Sequence, residues 1–359
     1  MTLAFERRFT AARSGRRTRG ALAVIGSFTA LFCAMLFSAG NGALHISWSA
    51  TLDAAVAGLR GGVANLTGSE AIVCYLRLPR VLMAALVGTS LGMSGAAMQG
   101  LFRNSLADPY LLGVASGASL GATIALSLAG HLAPAFVQAP FASEGTASMV
   151  PPFAFAGALA GVLCTVALAR GARAKSSSVL LAGVVVGSVL TSLTTYLMLR
   201  DADRLRAVFA WTLGNLSFAS WSDLLHASPY AACGIALLYA TARGLDALQL
   251  GEDTASTLGV PVQRVQVGVI VGASLATAAA VSFAGVIGFV GLVAPHVMRR
   301  LGAPTHRVLL PASAAAGGTL LVLADLGART FIRPAELPVG IVTTLVGGPF
   351  FLWLLRRET

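Results

Sequence analysis

Histidine, cysteine and carboxylate side chains carry most acid–base and metal chemistry, and here they are scattered along the chain. The five histidines and four cysteines match neither a disulfide framework nor a metal site in their spacing. The sequence shows no nucleophile–base pair and no G-x-x-x-x-G-K-[ST] phosphate-binding loop. We therefore predict no catalytic residue, no metal site and no cofactor bound by this chain, which argues against an enzyme and against an ATPase.

The most informative loop is the segment Leu248–Pro261, which reads as a short capped helix. Glu252 and Asp253 favour the positive N-terminal end of such a helix. Gly259 suits its C-terminal cap, and Pro261 prevents the helix from continuing.

The predicted face of this helix is short and apolar. Ala255 and Leu258 are three residues apart, so a helix would place them on one side. A helix that lies on lipid headgroups is the alternative, but the acidic start and the lack of Lys or Arg argue against it. We therefore interpret the segment as a docking helix for a soluble partner.

The amino-acid composition indicates the class of protein to which this loop belongs. Of the 359 residues, 56% are hydrophobic and only 11% are charged, and the mean hydropathy is +0.79. A soluble domain has about 25% charged residues. The composition therefore predicts an integral membrane protein, in one transmembrane domain over residues 1–359.

Ten charge-poor runs are close to the roughly 20 residues that a membrane-spanning helix needs. The fold predicted from them is all-α and polytopic, with about ten transmembrane helices. They are Ala21–Gly40, Val81–Leu101, Tyr110–His131, Val150–Ala169, Ser177–Leu199, Ser228–Ala242, Val265–Phe283, Val286–Val297, Val308–Ala324 and Val339–Leu355.

The net charge of +11 fits a membrane topology better than a nucleic-acid partner. With ten spans, most of the 25 basic residues fall on the side of the two termini, which predicts cytoplasmic termini and a basic cytoplasmic tail over residues 1–20. Anionic lipid headgroups are the expected partner. The first run could instead be a signal peptide, with a twin-arginine hint at Arg7–Phe9, but it is longer than a usual signal core.

Glycines at a spacing of four residues predict closely packed helices. The pairs include Gly88 with Gly92, Gly117 with Gly121, and others at Gly157/Gly161, Gly183/Gly187 and Gly268/Gly272.

Asp325 is the one carboxylate within reach of a predicted span. Arg329 lies four residues later, so the two side chains can neutralise each other on a helix. A proton- or sodium-coupled secondary transporter would need titratable groups in its core. Their absence disfavours that function and favours a conduit with an external energy source.

Several long motifs resemble the FecCD or BtuC-like family of ABC importer permeases, which carry vitamin B12, ferric siderophores and haem. The resemblance covers about residues 75 to 357. The matching motifs are Arg77–Arg80, Gly95–Asn104, Ser105–Pro109, Leu111–Gly117, the loop Leu248–Val260, Gly288–His296, His306–Pro311, Pro334–Val342 and Gly348–Leu352. Ser105 stands where the family usually has proline.

The resemblance implies a type II ABC importer permease fold, with ten helices per subunit. It implies a homodimer of two copies of this chain around a central pathway. Two ATP-binding subunits, which use ATP and Mg, would dock below, and a periplasmic substrate-binding protein would dock above. The location implied is the bacterial inner membrane.

The resemblance also assigns roles to residues of this chain. The ATPase-coupling loop, residues 244–262, would act through Leu248, Gly251, Glu252, Ala255, Leu258 and Gly259. The cytoplasmic gate would be formed by Asn104, Leu106, Ser177 and Ser178. Docking of the binding protein would involve Arg77, Arg80, Arg329 and Arg333.

For these assignments simpler structural roles remain open: helix capping for the two serines and interfacial snorkelling for the arginines. Three arginines on the outer side, Arg200, Arg204 and Arg206, could attract an anionic ligand, or could pair with Asp201 and Asp203. Arg200 and Arg204 would share one face if a helix joined them. The cargo favoured is an iron chelate, haem before ferric siderophore, with cobalamin as the nearest alternative.

Overall fold

The computed structural model describes residues 2–41, 68–132, 149–169, 176–200, 205–332 and 335–358. Within those ranges the chain is all-α, and each of the ten predicted runs overlaps one of ten helices. The helices are α1 Thr2–Gly40, α2 Leu78–Phe102, α3 Val114–Leu132, α4 Val150–Ala169, α5 Ser176–Arg200, α6 Trp221–Ala240, α7 Val262–Ala284, α8 Val290–Arg300, α9 His306–Thr330 and α10 Val339–Glu358.

Length and apolar composition support the predicted membrane architecture. Six helices of the described chain are long and apolar enough to cross a bilayer, and α6 with the following helix Ala242–Leu248 is a seventh candidate, bent by 46°. Shorter apolar stretches lie in α3, at Val114–Leu128, and in α10, at Val339–Trp353.

The predicted first span is part of a longer element. α1 begins at Thr2 and runs for 39 residues, so the basic tail of residues 1–20 continues the first span as helix almost from its start. At 1.5 Å per residue, a helix of this length exceeds the hydrocarbon thickness of a bilayer, which is about 30 Å.

The entry into α2 is widened by a proline. A π-helical turn, Ile72–Arg77, precedes α2, and the amide of Leu78 donates to the carbonyl of Val73, five residues back. Pro79 has no amide hydrogen for the carbonyl four residues before it, which accounts for the wider turn here. The indole Nε1 of Trp221 donates to the carbonyl of Cys74 over 2.9 Å.

Glycines bring helix backbones into direct contact, as their spacing predicts. A Cβ on Gly88 would overlap the carbonyl of Gly317 in α9. A Cβ on Gly117 would likewise overlap the carbonyl of Gly157 in α4. The helices of the pairs α2–α9 and α3–α4 are therefore closely packed.

The core lies along α2, α7 and α9, and other helices expose their apolar side chains. Most of the hydrophobic window of α2 is buried, whereas only 17% of that of α5 is buried. The exposed apolar side chains of α5 include Leu181, Val184, Val185, Val189 and Leu193. In a bilayer such a surface faces lipid or another protein chain.

The eighth predicted span begins later than expected, because the segment Gly285–Phe289 is not helical. Gly285 and Phe289 adopt positive φ angles of 71° and 68°. The hydroxyl of Tyr110 lies 3.0 Å from the carbonyl of Ile287 and 3.3 Å from its amide, so it satisfies both groups. α8 therefore spans only Val290–Arg300, about half of a bilayer crossing.

Candidate functional site

The coupling segment, residues 244–262, contains two short helices joined by a tight turn. The first helix, Ala242–Leu248, continues the bend after α6, and the second is Glu252–Thr257. Gly251 joins them with a φ of 105°, a conformation that favours glycine.

The predicted cap of the second helix is confirmed. Gly259 has a φ of 79°, and its amide donates to the carbonyl of Ser256 over 2.9 Å. The amide of Val260 reaches back to the carbonyl of Ala255 over 3.0 Å. These two bonds form a Schellman motif, after which Pro261 follows.

The predicted shared face of Ala255 and Leu258 is wrong. Ala255 is fully buried in the main core, whereas Leu258 is 63% exposed. Leu258 is the C-cap residue, beyond the last helical turn, so the helical spacing of three residues no longer applies to it. Leu250 is also exposed, and Leu248 is buried.

Three side chains attach this segment to the bundle, and sequence reasoning missed all of these attachments. Gln249 Nε2 donates to the carbonyl of Gly100 over 2.8 Å. Asp246 Oδ1 lies 2.7 Å from both the amide nitrogen and Nδ1 of His306, the first residue of α9. The third attachment, on the exposed side, joins Glu252 to Gln266 of α7 over 3.2 Å.

The gate loop, residues 103–108, follows α2 directly. Arg103 adopts a left-handed conformation with a φ of 50°, and it caps the helix. Asn104 Oδ1 accepts the amide of Leu106 over 2.9 Å, so its side chain closes the turn that includes Ser105. Asn104, Ser105 and Leu106 are exposed.

The helix α5, which carries Ser177 and Ser178, contacts the backbone of the segment that follows the gate loop. A Cβ on Gly183 of α5 would overlap the carbonyl of Leu111, just beyond the gate loop. Ser178 is half-buried near the start of α5, and the side chain of Ser177 lies outside the described part of the chain.

A polar cavity of about 440 Å³ joins the gate loop to the coupling segment. Asn104 and Gln249 both line it. Its other polar lining residues come from α2, the gate loop, α8 and the start of α9: Gln99, Arg103, Ser105, Arg299, Thr305 and His306.

At the other end of α2, buried arginines bind the last turn of α1. Arg77 Nη1 donates to the carbonyls of Ala39 and Gly40 over 3.1 and 3.2 Å. Arg329 Nη2 donates to Ser38 Oγ over 2.6 Å. These carbonyls have no partner within their own helix, so the guanidinium groups cap α1.

Two carboxylates, those of Asp325 and Glu336, form ion pairs with the arginines near the start of α2 and the end of α9. Asp325 is fully buried, and it lies 3.0 Å from Arg80 Nε and 3.1 Å from Arg329 Nε. The predicted pairing of Asp325 with Arg329 is therefore confirmed. Glu336 accepts from Arg80 Nη1 over 2.8 Å and from Ser217 Oγ over 2.7 Å.

Glu336 belongs to the loop between α9 and α10. Its partial burial would raise the pKa of the carboxyl, but hydrogen bonds from Ser217 and Arg80 outweigh this and hold that pKa below its usual range.

The network gives the predicted docking arginines structural partners. Arg77, Arg80 and Arg329 are each less than 10% exposed, and they bind groups within the chain. Their docking role stays a prediction. Arg333 lies outside the described residues.

The predicted ligand-attracting arginines are only partly described. Arg200 ends α5 and is exposed, and Arg206, in the short helix Leu205–Thr212, is also exposed. Arg204 lies outside the described residues, so its shared face with Arg200 stays a prediction.

The motifs behind these sites match a known family over most of the chain. The model of the FecCD transport family matches residues 29–357. The chain belongs to the FecCD transport family. Within this family it is the permease subunit of an ABC importer of the type that carries metal chelates, vitamin B12, haem or iron.

Named relatives of this FecCD protein cover most of its length. It is 43% identical over 312 residues to a cobalamin import system permease protein of Halobacterium salinarum, which covers 87% of this chain and 80% of the relative. It is 42% identical over 289 residues to a hemin transport system permease protein of Yersinia pestis, and this match covers 79% of this chain and 82% of the relative. These relatives are transport permease subunits.

A solved structure supports the type II importer fold expected from the resemblance. It is an ABC transporter of the metal-chelate type in an inward-facing conformation, 26% identical, with a TM-score of 0.76. The match covers 93% of this FecCD chain and 98% of the other.

Proposed function

We propose that this chain moves haem from the periplasm to the cytoplasm, as the membrane subunit of an importer driven by a separate ATPase. The observation that carries the proposal is the coupling segment. Its Leu248 and Ala255 are buried in the core, while Glu252, Leu258 and Gly259 face outward. A partner that binds the outward residues therefore pushes on the bundle through the buried ones.

The proposed energy source is ATP, bound with Mg by two partner subunits rather than by this chain. The coupling of the ATPase to this chain would act through Leu248, Gly251, Glu252, Ala255, Leu258 and Gly259. The exposed members of this set would contact the partner, and the buried ones would pass the movement to the bundle. Closure of the ATPase pair would move the coupling segments, and the two ends of the pathway would open in turn. Asn104, Leu106, Ser177 and Ser178 would form the cytoplasmic gate.

The remaining partners follow from the exposed surfaces. The apolar side chains of α5 suit a second copy of this chain or membrane lipid. We place both termini in the cytoplasm and the chain in the bacterial inner membrane, because ten spans and the distribution of arginines favour that orientation.

A periplasmic binding protein would dock at the charged network formed by Arg77, Arg80, Asp325, Arg329 and Glu336. Arg80 and Arg329 there pair with the carboxylates of Asp325 and Glu336. A carboxylate of a partner would bind a guanidinium group of this network through charge-assisted hydrogen bonds. Arg77, Arg80, Arg329 and Arg333 remain the proposed docking residues.

Haem is the proposed cargo because its propionates are anionic and the outer arginines Arg200 and Arg206 are exposed. Cobalamin is the second candidate, because a relative named as a cobalamin permease matches 87% of the chain. Ferric siderophores are the third, since the chain is also 39% identical to an Fe(3+) dicitrate transport system permease protein of Escherichia coli.

An ion-coupled secondary transporter is the alternative from another class. The carboxylate in α9 argues against it, because Asp325 is held between Arg80 and Arg329. Its oxygens are already bound by two guanidinium groups, which leaves the carboxylate poorly available to a transported ion.

Uptake of haem, cobalamin and ferric dicitrate by the complete transporter in proteoliposomes tests the cargo. We expect ATP-dependent accumulation of haem, and weaker accumulation after Arg200 and Arg206 are both replaced by Gln. Uptake of cobalamin without uptake of haem would contradict the haem proposal and support the second candidate.

A further inference from the structure

We propose that Gln249 is a positioning residue that carries movement of the coupling segment to the gate loop. The inference rests on the proposed function, since it requires an ATPase that moves the coupling segment. It assigns a role to a side chain for which the sequence motifs gave none.

Gln249 donates a hydrogen bond to a backbone carbonyl of α2 that has no partner within that helix. The carbonyl of Gly100 belongs to the last turn of α2, where carbonyls have no partner further along the helix. Gln249 Nε2 lies 2.8 Å from this oxygen and 3.3 Å from the carbonyl of Leu245, one turn back in its own helix. The amide group therefore joins the two helices directly.

The gate loop is fixed to the same turn of α2. The amide of Asn104 donates to the carbonyl of Gln99 over 3.1 Å, and the amide of Ala107 donates to the carbonyl of Asn104 over 3.1 Å. The Asn104 side chain closes the turn onto Leu106. A displacement of Gly100 therefore carries the exposed gate residues with it.

A second contact holds Gly100 from the neighbouring side. A Cβ on Gly100 would overlap Nε2 of His306, so the ring lies against the glycine backbone. His306 is held by Asp246, three residues before Gln249. Leu245 and Leu248, which directly precede Asp246 and Gln249, are both buried, so this turn of the coupling segment is anchored in the core.

A second side-chain amide, that of Gln266, also contacts the coupling segment, but from a different helix. The hydrogen bond from Gln266 Nε2 to Glu252 joins the segment to α7 and not to α2. Gln266 therefore offers a matched control: an amide on the same segment that lies outside the proposed route.

The test uses the complete transporter in proteoliposomes, with ATP hydrolysis and cargo uptake measured together. Gln249→Glu keeps the shape of the side chain and replaces the donor by an acceptor, which repels the Gly100 carbonyl. We expect ATP hydrolysis to persist while uptake per ATP falls about two- to thirty-fold, the range of residues that modulate coupling between sites. Gln266→Ala should leave uptake per ATP unchanged.

A second readout follows the gate loop itself. In a background with the four native cysteines replaced by Ala, Ser105→Cys is labelled with a maleimide, with and without ATP and Mg. We expect the labelling rate to depend on nucleotide, and Gln249→Glu to abolish that dependence at unchanged thermal stability.

Two results would overturn the inference. One is an unchanged ratio of uptake to hydrolysis in Gln249→Glu. The other is a parallel loss of hydrolysis, uptake and thermal stability, which would show a purely structural role. If the unmodified complex takes up cargo without ATP, the proposed function fails and the inference fails with it.

Discussion

Arg80 and Asp325 are 245 positions apart in the sequence, yet the Arg80 Nε lies 3.0 and 3.2 Å from the two carboxylate oxygens of Asp325. The carboxylate is fully buried, and the same group also neutralises Arg329 one helical turn away. This pair fixes the N-terminal end of α2 to the C-terminal end of α9.

Removal of this carboxylate should destabilise the protein strongly. Asp325→Asn removes the carboxylate that Arg80 and Arg329 share, so that Arg80 keeps only its contact with Glu336. Breaking a buried ion pair in this way typically costs about 3–5 kcal/mol. The free energy of unfolding in mixed micelles measures the effect. Glu336→Gln is the control, and its loss of unfolding free energy should be smaller because the Glu336 side chain is 37% exposed. Equal stability of Asp325→Asn and the wild type would contradict this account of the network.

Glu336 should make part of the stability depend on pH. Its pKa in the folded protein is lowered, so its stabilising effect is complete above the unfolded value of about 4.3 and is lost as the pH falls through the folded value. We expect the Tm of the wild type to fall more steeply below about pH 4.3 than that of Glu336→Gln. Parallel curves for the two proteins would show that Glu336 contributes nothing there.

The α2–α9 contact should not tolerate a methyl group. Gly88→Ala places a Cβ on the carbonyl of Gly317, and overpacking of this kind costs about 1–3 kcal/mol. Gly26→Ala in α1 is the matched control, because no atom lies within 4 Å of a Cβ there. Thermal denaturation should show a loss for the first variant and no loss for the second. A stable Gly88→Ala protein would mean that the helices are less tightly packed.

The exposed end of the coupling helix should matter for assembly rather than for folding. Leu258→Glu introduces a charge on a side chain that is 63% exposed, so the Tm should not change. We expect its affinity for the partner ATPase to fall, measured by copurification and by stimulation of ATP hydrolysis. Leu248→Glu, at a buried position, should instead lower the Tm. Full ATPase binding by Leu258→Glu would remove this residue from the docking surface.

Local signals predicted much of the fold. Hydropathy placed the fourth span at Val150–Ala169, the bounds that α4 has in the structure. The glycine and proline that follow the coupling helix predicted its cap at Gly259. These features depend on neighbours along the chain, where spacing and residue type carry the information.

Long-range contacts were not predictable in the same way. Gln249 and Gly100 are 149 positions apart, and no periodicity or motif links an amide to a particular backbone carbonyl. The inward orientation of Arg77 was missed for the same reason, since its partners are carbonyls at the end of α1. Asp325 and Arg329 were predicted to pair because they are one helical turn apart.

ATP-dependent uptake by the reconstituted chain tests the central claim most directly. Proteoliposomes that contain this chain alone, or this chain with its partner ATPase and binding protein, are loaded with ATP and Mg, and accumulation of cargo is followed with and without an imposed ion gradient. The account predicts uptake only in the complete complex, only with hydrolysable ATP, and regardless of the gradient. Uptake by this chain alone, driven by an ion gradient without ATP, would contradict it.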